Sequence, residues 1–160
     1  MFRKMRRFKQ ELTHEEAIQI LNNNTAGVLA VLGDEGYPYS VPLSYVFVDN
    51  KIYFHSAKTG HKIDAIKNYN KASFCVIDQN QIMPEEYTTY FRSVIAFGKV
   101  HIMENEEEIR VAMSKFVTKY SSYGKAEKHE VNMKEVPDIM AMIEFDIEYM
   151  TGKWKEKGEN

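Results

Sequence analysis

The chain has 160 residues, 44% of them hydrophobic, which suits one compact domain with its own core. Its 21 basic and 23 acidic side chains nearly cancel, so no overall field favours nucleic acid or an anionic membrane as a partner. Its one cysteine cannot form an internal disulfide, and no apolar run reaches the roughly 18 residues of a membrane span. These features predict a soluble, cytoplasmic protein built as a single domain over residues 1–160.

The amino terminus is basic. Residues 1–9 carry five basic side chains, but the apolar segment of a signal peptide does not follow them. We expect residues 1–12 to form a basic leader, either solvated or docked on another subunit, with RNA or phospholipid contact as the alternative. Thr13 and Glu16 then have the spacing of a capping box, which predicts a first helix that ends near residues 22–24.

The rest of the chain alternates between strand and helix patterns. Turn-forming residues at 33–36 and 49–50 separate the first three β-rich runs, and helical periodicity recurs twice further on. The predicted elements are strands over 27–32, 39–48 and 51–55, a helix over 60–69, a strand over 72–77, a polar loop over 78–86, a strand over 87–102, a helix over 106–120, a loop over 121–136, a strand over 139–150 and a polar tail over 151–160. This order predicts an α+β fold, a mostly antiparallel barrel with short helices.

The strongest local signal joins the end of a strand to the start of a helix. Four potential cations, two hydroxyl groups and a glycine converge there: His55, Ser56, Lys58, Thr59, Gly60, His61 and Lys62. A helix N-terminus offers unpaired backbone N–H groups and partial positive charge, so a phosphate is its natural ligand. Alternatively, Lys58 and Lys62 are solvated surface residues and Gly60 is only a turn; spacing alone leaves both interpretations open.

Several stretches resemble the flavin-binding core of the nitroimidazole-resistance (Nim) proteins, in the pyridoxamine-phosphate-oxidase-like superfamily. They are residues 36–46, 53–65, 73–76 and 84–99. The similarity runs from the start of the chain to residues 151–153. It implies a split β-barrel that forms a homodimer and holds FMN in grooves between the subunits. The end of the chain lacks the arginine-rich signature that grips pyridoxamine phosphate, which disfavours that substrate.

The resemblance also implies a role for each part of the FMN site. The strand over residues 39–44 would lie along the isoalloxazine ring, with residues 41–44 giving backbone hydrogen bonds and packing, and His55 and Ser56 would meet the ribityl chain or the phosphate. His61 and Lys62 stand where relatives place an arginine and a lysine on the phosphate, whereas Arg92 and Ser93 would come from the other subunit. The expected cofactor-binding residues are Val41, Pro42, Leu43, Ser44, His55, Ser56, Lys58, His61, Lys62, Arg92 and Ser93.

The activity implied by the resemblance is reduction of nitro-aromatic compounds such as 5-nitroimidazoles, of the antibiotic-resistance type. His61 could donate a proton to the substrate, because an imidazole titrates near neutral pH, or it could only bind phosphate. A reduced nicotinamide or another donor would supply the electrons. The alternative is a non-catalytic module that binds or stores flavin, or heme with His55 or His61 as the axial ligand.

Other chemistries have weaker support. The five histidines include no pair at helical spacing, so no metal site is expected. Cys75 lies in an apolar run and is expected in the core, and no G-x-S-x-G motif activates a serine. Tyr87, Tyr90 and Phe91 beside the polar loop fit either dimer packing or a lid over the flavin.

Overall fold

The structure, a computed structural model, describes residues 1–121 and 134–156. Short 3-10 turns cover Phe8–Gln10, Asp34–Gly36 and Pro84–Glu86. The helices are α1 (His14–Asn23), α2 (His61–Asn68), α3 (Glu106–Tyr120) and α4 (Val136–Ile139). The strands are β1 (Ala26–Leu32), β2 (Pro38–Ser44), β3 (Val46–Val48), β4 (Lys51–Ser56), β5 (Lys71–Met83), β6 (Thr88–Ile102) and β7 (Ala141–Lys155). No helix in the described ranges is both long and apolar enough to cross a membrane.

The strands form one antiparallel sheet in the order β2-β1-β5-β6-β7-β4-β3. The two edge strands, β2 and β3, are consecutive in the chain and only Tyr45 separates them. Opposite edges of the sheet must therefore lie close together, so the sheet curls into a barrel. This confirms the predicted α+β fold with a predominantly antiparallel barrel and short helices.

Hydrogen bonds from three elements hold the point where the two edges meet. Tyr45 is fully buried, and its hydroxyl donates to the carbonyl of Leu21 in α1 at 2.7 Å. Lys119, near the end of α3, donates to the carbonyl of Asn24 at 2.6 Å, and the hydroxyl of Tyr120 donates to the carbonyl of Thr25 at 2.8 Å. Polar contacts from α1 and α3 thus stabilise the junction that closes the barrel.

Alternation along the strands fills the barrel. Inward residues such as Leu29, Phe54, Phe74 and Phe145 are fully buried or nearly so, and together with the apolar face of α1 they form the main core. Residues on the outer face of β3, β4 and β7 form a second cluster, which α3 and α4 cover through Ile109, Phe116 and Val136, among others. Consecutive residues of β4 therefore contact different cores.

The first helix begins as predicted. The backbone N–H of Thr13 donates to Glu16 Oε2 at 2.8 Å, and the backbone N–H of Glu16 donates to Thr13 Oγ1 at 3.2 Å. This confirms the capping box. The helix ends at Asn23, and its buried face consists of Ala17, Ile20 and Leu21.

Four sequence-based expectations are corrected. Residues 78–83 belong to β5 rather than to a polar loop, because they pair with the start of β6 in a long hairpin. The strand expected over 39–48 is broken at Tyr45, and residues 151–155 extend β7 rather than starting a tail. Cys75 is half-buried on the outer face, since its neighbours Phe74 and Val76 take the core positions. The loop expected over 121–136 falls mostly outside the described residues, and α4 begins at Val136.

Candidate functional site

The end of β4, the loop over residues 57–60 and the start of α2 form the candidate site. Gly60 is the N-cap of α2 and offers no side-chain cap. Its carbonyl accepts from the backbone N–H groups of Ile63 and Asp64 at 2.9 and 3.1 Å. The amides of His61 and Lys62 precede these bonds, so they have no acceptor within the helix. The end of α2 is therefore a set of N–H donors with partial positive charge.

Gly60 leaves room beside these donors. Its φ of +121° is a conformation that side chains disfavour, and no heavy atom lies within 4 Å of the position that a Cβ would take. A ligand can thus approach the backbone closely at this point. Because Gly60 is the N-cap of α2, this space adjoins the helix N-terminus, where an anion gains most from the unpaired N–H groups.

Lys62 brings a positive charge to the same turn. Its side chain is half-buried, and burial lowers its pKa. In the described part of the chain no carboxylate forms an ion pair with it, although a buried charge is costly without a partner. An anionic ligand would relieve that cost. Lys58, in contrast, lies exposed in the loop before the helix.

His55 and Ser56 point to opposite faces of β4, as neighbours in a strand do. Ser56 is 9% exposed on the barrel side, and its Oγ is buried without a hydrogen-bond partner among the described residues. His55 is on the outer side, edge-on to the ring of Phe116 at 5.0 Å between centroids. Burial and, secondly, the charge of Lys62 lower the pKa of His55, which favours the neutral imidazole.

His61 is held against the turn between β1 and β2. Its ring stacks on Tyr39 at 4.1 Å between centroids, and its Nε2 accepts from the backbone N–H of Asp34 at 3.4 Å. The carboxylate of Asp34 lies 3.6 Å from the same nitrogen. In the neutral imidazole this arrangement leaves Nδ1 for a ligand. His61 therefore ties α2 to β1 and β2 as well as flanking the helix N-terminus.

The expected ring-binding strand, residues 39–44, forms all of β2 except its first residue. Val41 and Leu43 pack against the barrel core, whereas Pro42 and Ser44 are exposed on the outer face. β2 pairs with β1 on one side and is an edge of the sheet on the other. Its unpaired backbone groups are available to a planar ligand, and a proline is tolerated in such an edge strand.

Arg92 and Ser93 lie away from residues 55–62 within one chain. They pair with Trp154 and Lys153 near the end of β7, whereas Ser56 pairs with Ala141 at its start. Thirteen positions of β7 separate Ala141 from Trp154, about 40 Å measured along an extended strand. Arg92 Nε is buried, 3.7 Å from a carboxylate oxygen of Asp78. One chain thus brings His61 onto Tyr39 of β2 but leaves Arg92 and Ser93 at the other end of β7 from Ser56.

Several neighbours of the site were not found from the sequence. Asp34 reaches it from the β1–β2 turn, and Phe116 reaches it from α3. Tyr39 was expected in the ring-binding strand, but its stacking on His61 was not. Phe116 carried no signal, since its helical spacing fits an ordinary core position.

The aromatic residues of the β5–β6 hairpin separate into two kinds. Tyr87 is 97% exposed and has a left-handed backbone conformation, whereas Tyr90 is buried and its hydroxyl donates to Glu86. Phe91 is half-buried under the ammonium group of Lys153 at 5.1 Å. Whether Tyr87 packs in a dimer or covers the flavin stays a prediction.

Comparison with known proteins places the fold. A candidate 5-nitroimidazole antibiotic resistance protein from Bacteroides thetaiotaomicron superposes with a TM-score of 0.75 at 20% identity, over 90% of this chain and 86% of that one. An FAD-binding protein from Mesorhizobium loti superposes with a TM-score of 0.65 at 22% identity, over 91% of this chain and 97% of that one. An FAD and heme binding protein from Mycobacterium smegmatis superposes with a TM-score of 0.71 at 14% identity, over 94% of this chain and 76% of that one. At these identities the likeness concerns the fold.

The sequence itself matches one family. No match was found among the curated proteins. The family model for pyridoxamine 5'-phosphate oxidase, however, matches residues 13–154, which include every strand of the barrel except the last residue of β7. The chain therefore belongs to the pyridoxamine 5'-phosphate oxidase family.

Proposed function

We propose that this protein binds FMN at the start of α2 and along β2, and reduces nitro-aromatic compounds such as 5-nitroimidazoles. The single observation that carries the proposal is the half-buried Lys62, which has no ion-pair partner in the described chain and lies at a helix N-terminus with open space beside it. An FAD-binding protein and a candidate nitroimidazole-resistance protein with a similar fold support a flavin as the cofactor and a nitro compound as the substrate.

The residues fit the phosphate end of FMN. The free amides of His61 and Lys62 and the ammonium group of Lys62 offer donors to one phosphate, and the unpartnered Oγ of Ser56 offers a further hydroxyl for the ribityl chain. FAD would place a second phosphate and an adenosine beyond the same donors. One helix N-terminus and one half-buried lysine suit the single phosphate of FMN better than the two phosphates of FAD.

The chain's own groups supply position and protons. Bound flavin would carry out the electron transfer, with a reduced nicotinamide as the proposed donor. The edge of β2 would hold the ring through its backbone, with Val41 and Leu43 anchored in the core behind it. As an imidazolium, His61 would hold a proton on Nδ1 for the substrate, with its Nε2–H directed at the carboxylate of Asp34.

We propose a homodimer with the cofactor between the subunits, because one chain leaves Arg92 and Ser93 at the other end of β7 from Ser56. The outer face of the sheet supports this part of the proposal. Ile77, Ile95 and Phe97 are 59%, 41% and 39% exposed there, and Phe2 stacks on Tyr149 beside them at 4.8 Å. An exposed apolar patch of this kind commonly marks a protein interface.

Phe97→Asp is expected to convert the dimer into monomers and to weaken FMN binding with it, since a carboxylate would be buried in the apolar interface. Light scattering after size-exclusion chromatography measures the change. Val117→Asp is the matched control, because Val117 in α3 is 41% exposed and lies outside this face. A parent protein that is monomeric, or a Phe97→Asp variant that stays dimeric, would show that the interface is elsewhere.

The enzymatic proposal is tested with purified protein, FMN, a reduced nicotinamide and a 5-nitroimidazole. We expect a visible flavin spectrum and loss of the nitro absorbance that depends on both protein and FMN. A protein that takes up FMN but turns over no nitro compound would leave only the binding half of the proposal standing. Absence of FMN uptake would reject both halves.

A second candidate is cofactor binding without turnover, including heme. The lowered pKa of His55 favours this alternative, because it keeps the imidazole neutral and able to ligate iron near neutral pH. The Mycobacterium smegmatis protein with a similar fold binds both FAD and heme. Heme titration distinguishes the candidates, since heme gives a Soret band that flavin lacks, and loss of that band in His55→Ala would identify the ligand.

A further inference from the structure

A second group of chemically active side chains lies on the outer face of the sheet, at the start of β7. Glu144 and Asp146 are two residues apart in β7 and therefore point to the same side. His101 of β6 is the register partner of Glu144, and Lys51 of β4 is the register partner of Asp146. Three strands thus bring an imidazole, two carboxylates and an ammonium group together.

His101, Glu144 and Asp146 are close enough together for one atom of each to bind the same metal ion. Their ligand atoms all lie within 4.8 Å of one another. His101 Nε2 is 3.7 Å from Glu144 Oε1, and His101 Nδ1 is 4.0 Å from Asp146 Oδ2. These distances exceed a hydrogen bond, and the described residues offer the imidazole no other hydrogen-bond partner. An ion with bonds of about 2.0 to 2.2 Å spans such gaps with small side-chain shifts.

The two carboxylates of this group already form ion pairs with a lysine. Lys51 Nζ lies 2.6 Å from Glu144 and 3.2 Å from Asp146, although its side chain remains 39% exposed and can leave for solvent. The side chain of Glu144 is only 10% exposed, so its carboxylate needs a cation. Tyr53 lies beside Glu144 in the wall of a neighbouring cleft.

An open cleft gives access to this group. It has a volume of about 320 Å³ and runs between α3 and the outer face of β4 and β7, with Glu144, Lys51 and Tyr53 in its wall. Glu107 and Glu108 stand in the same wall and add negative charge. The cleft offers an entry path for a cation and space for the water molecules that would complete its coordination.

We propose that His101, Glu144 and Asp146 form a binding site for one divalent transition-metal ion, separate from the flavin site. One imidazole nitrogen and two carboxylates suit Zn²⁺, Mn²⁺, Fe²⁺ or Co²⁺ better than Mg²⁺ or Ca²⁺, which prefer oxygen alone. The ion competes with the ammonium group of Lys51 for the carboxylates. When bound, it links β6 to β7 beside α3 and stabilises the folded chain.

Titration of the full chain with Co²⁺, followed by visible absorption and reversed by Zn²⁺, tests the site. We expect saturable binding of one ion and a rise in Tm. His101→Gln should weaken Co²⁺ binding by at least about tenfold. Removing a residue that only hydrogen-bonds to a metal ligand already lowers metal affinity by about that factor, and removing the ligand itself should lower it at least as much. Lys51→Met should bind at least as tightly as the parent.

His14→Gln is the matched control, because His14 is an exposed histidine on α1. It should bind Co²⁺ like the parent. The proposal is overturned if the parent shows no saturable binding, if His101→Gln binds as tightly as the parent, or if folded Lys51→Met binds more weakly. An equal rise in Tm for the parent and His101→Gln would also overturn it. Each of these results is independent of flavin binding.

Discussion

Lys62→Ala is expected to weaken FMN binding by about ten- to a hundredfold. A hydrogen bond to a charged group contributes about 1.5 to 3 kcal/mol, and about 1.4 kcal/mol corresponds to a tenfold change in affinity. Lys62 is the half-buried cation of the first turn of α2, so its ammonium group is the main charge available to the phosphate. Quenching of flavin fluorescence on binding measures the dissociation constant.

Two controls separate the phosphate contact from a general change in charge. Lys67→Ala removes a lysine from the last turn of the same helix and should leave FMN affinity nearly unchanged. Riboflavin lacks the phosphate, so its binding should not respond to Lys62→Ala. Equal FMN affinity for Lys62→Ala and the parent would show that the phosphate lies elsewhere.

The lowered pKa of Lys62 adds a pH dependence with a definite sign. Burial disfavours the charged form, so Lys62 loses its proton at a lower pH than an ordinary lysine does, and FMN affinity should fall as the pH rises toward 10.5. Lys62→Arg keeps its charge throughout this range. The alkaline loss of affinity should therefore be smaller in Lys62→Arg than in the parent.

The sequence predicted those parts of the fold that have a buried face. Alternation along β1, β4 and β6 and helical spacing in α1 and α3 identified these elements, because each packs an apolar face on a core. The hairpin over residues 78–83 was missed because both of its faces are largely exposed, so its polar residues show no burial pattern. At Tyr45 the chain passes from β2 at one edge of the sheet to β3 at the other edge. This break depends on the closure of the barrel, so the local sequence does not show it.

The candidate site was predictable where it is local. Residues 55–62 are contiguous, and the chemistry of a helix start follows from their order alone. The contacts of His61 with Tyr39 and Asp34, and of His55 with Phe116, depend on which elements pack together. The group at His101 and Glu144 was missed for the same reason, since its members are 43 positions apart and meet only through strand register.

Gly98→Ala is expected to cost more than about 3 kcal/mol of unfolding free energy, in the range of severe core substitutions. A Cβ on Gly98 would lie 1.9 Å from the carbonyl oxygen of Asp146 and 2.9 Å from its carbonyl carbon. Both atoms belong to the backbone of the neighbouring strand, so no side-chain rotation can relieve the overlap. The two longest strands of the barrel, β6 and β7, would have to separate at this point.

The cause of this tight contact is a register shift. Phe97 pairs with Tyr149 but Gly98 pairs with Ile147, so Glu148 is an extra residue of a β-bulge in β7. The bulge turns the backbone of Asp146 toward β6, where only a glycine leaves room.

Urea unfolding measures the loss of unfolding free energy in Gly98→Ala, with Gly36→Ala as the control. At Gly36 a Cβ would meet no atom within 4 Å, so only its φ of +77° costs free energy, about 1 to 2 kcal/mol.

The two glycine variants should therefore differ in kind as well as in size. Gly36→Ala changes an exposed turn and should keep the β6–β7 pairing intact, whereas Gly98→Ala should also displace Asp146 and Glu144 on β7. Lower stability in Gly36→Ala than in Gly98→Ala would mean that the bulge is not as tight as the structure has it. Because the bulge adjoins the group of His101, Glu144 and Asp146 on β6 and β7, it also sets where those side chains meet.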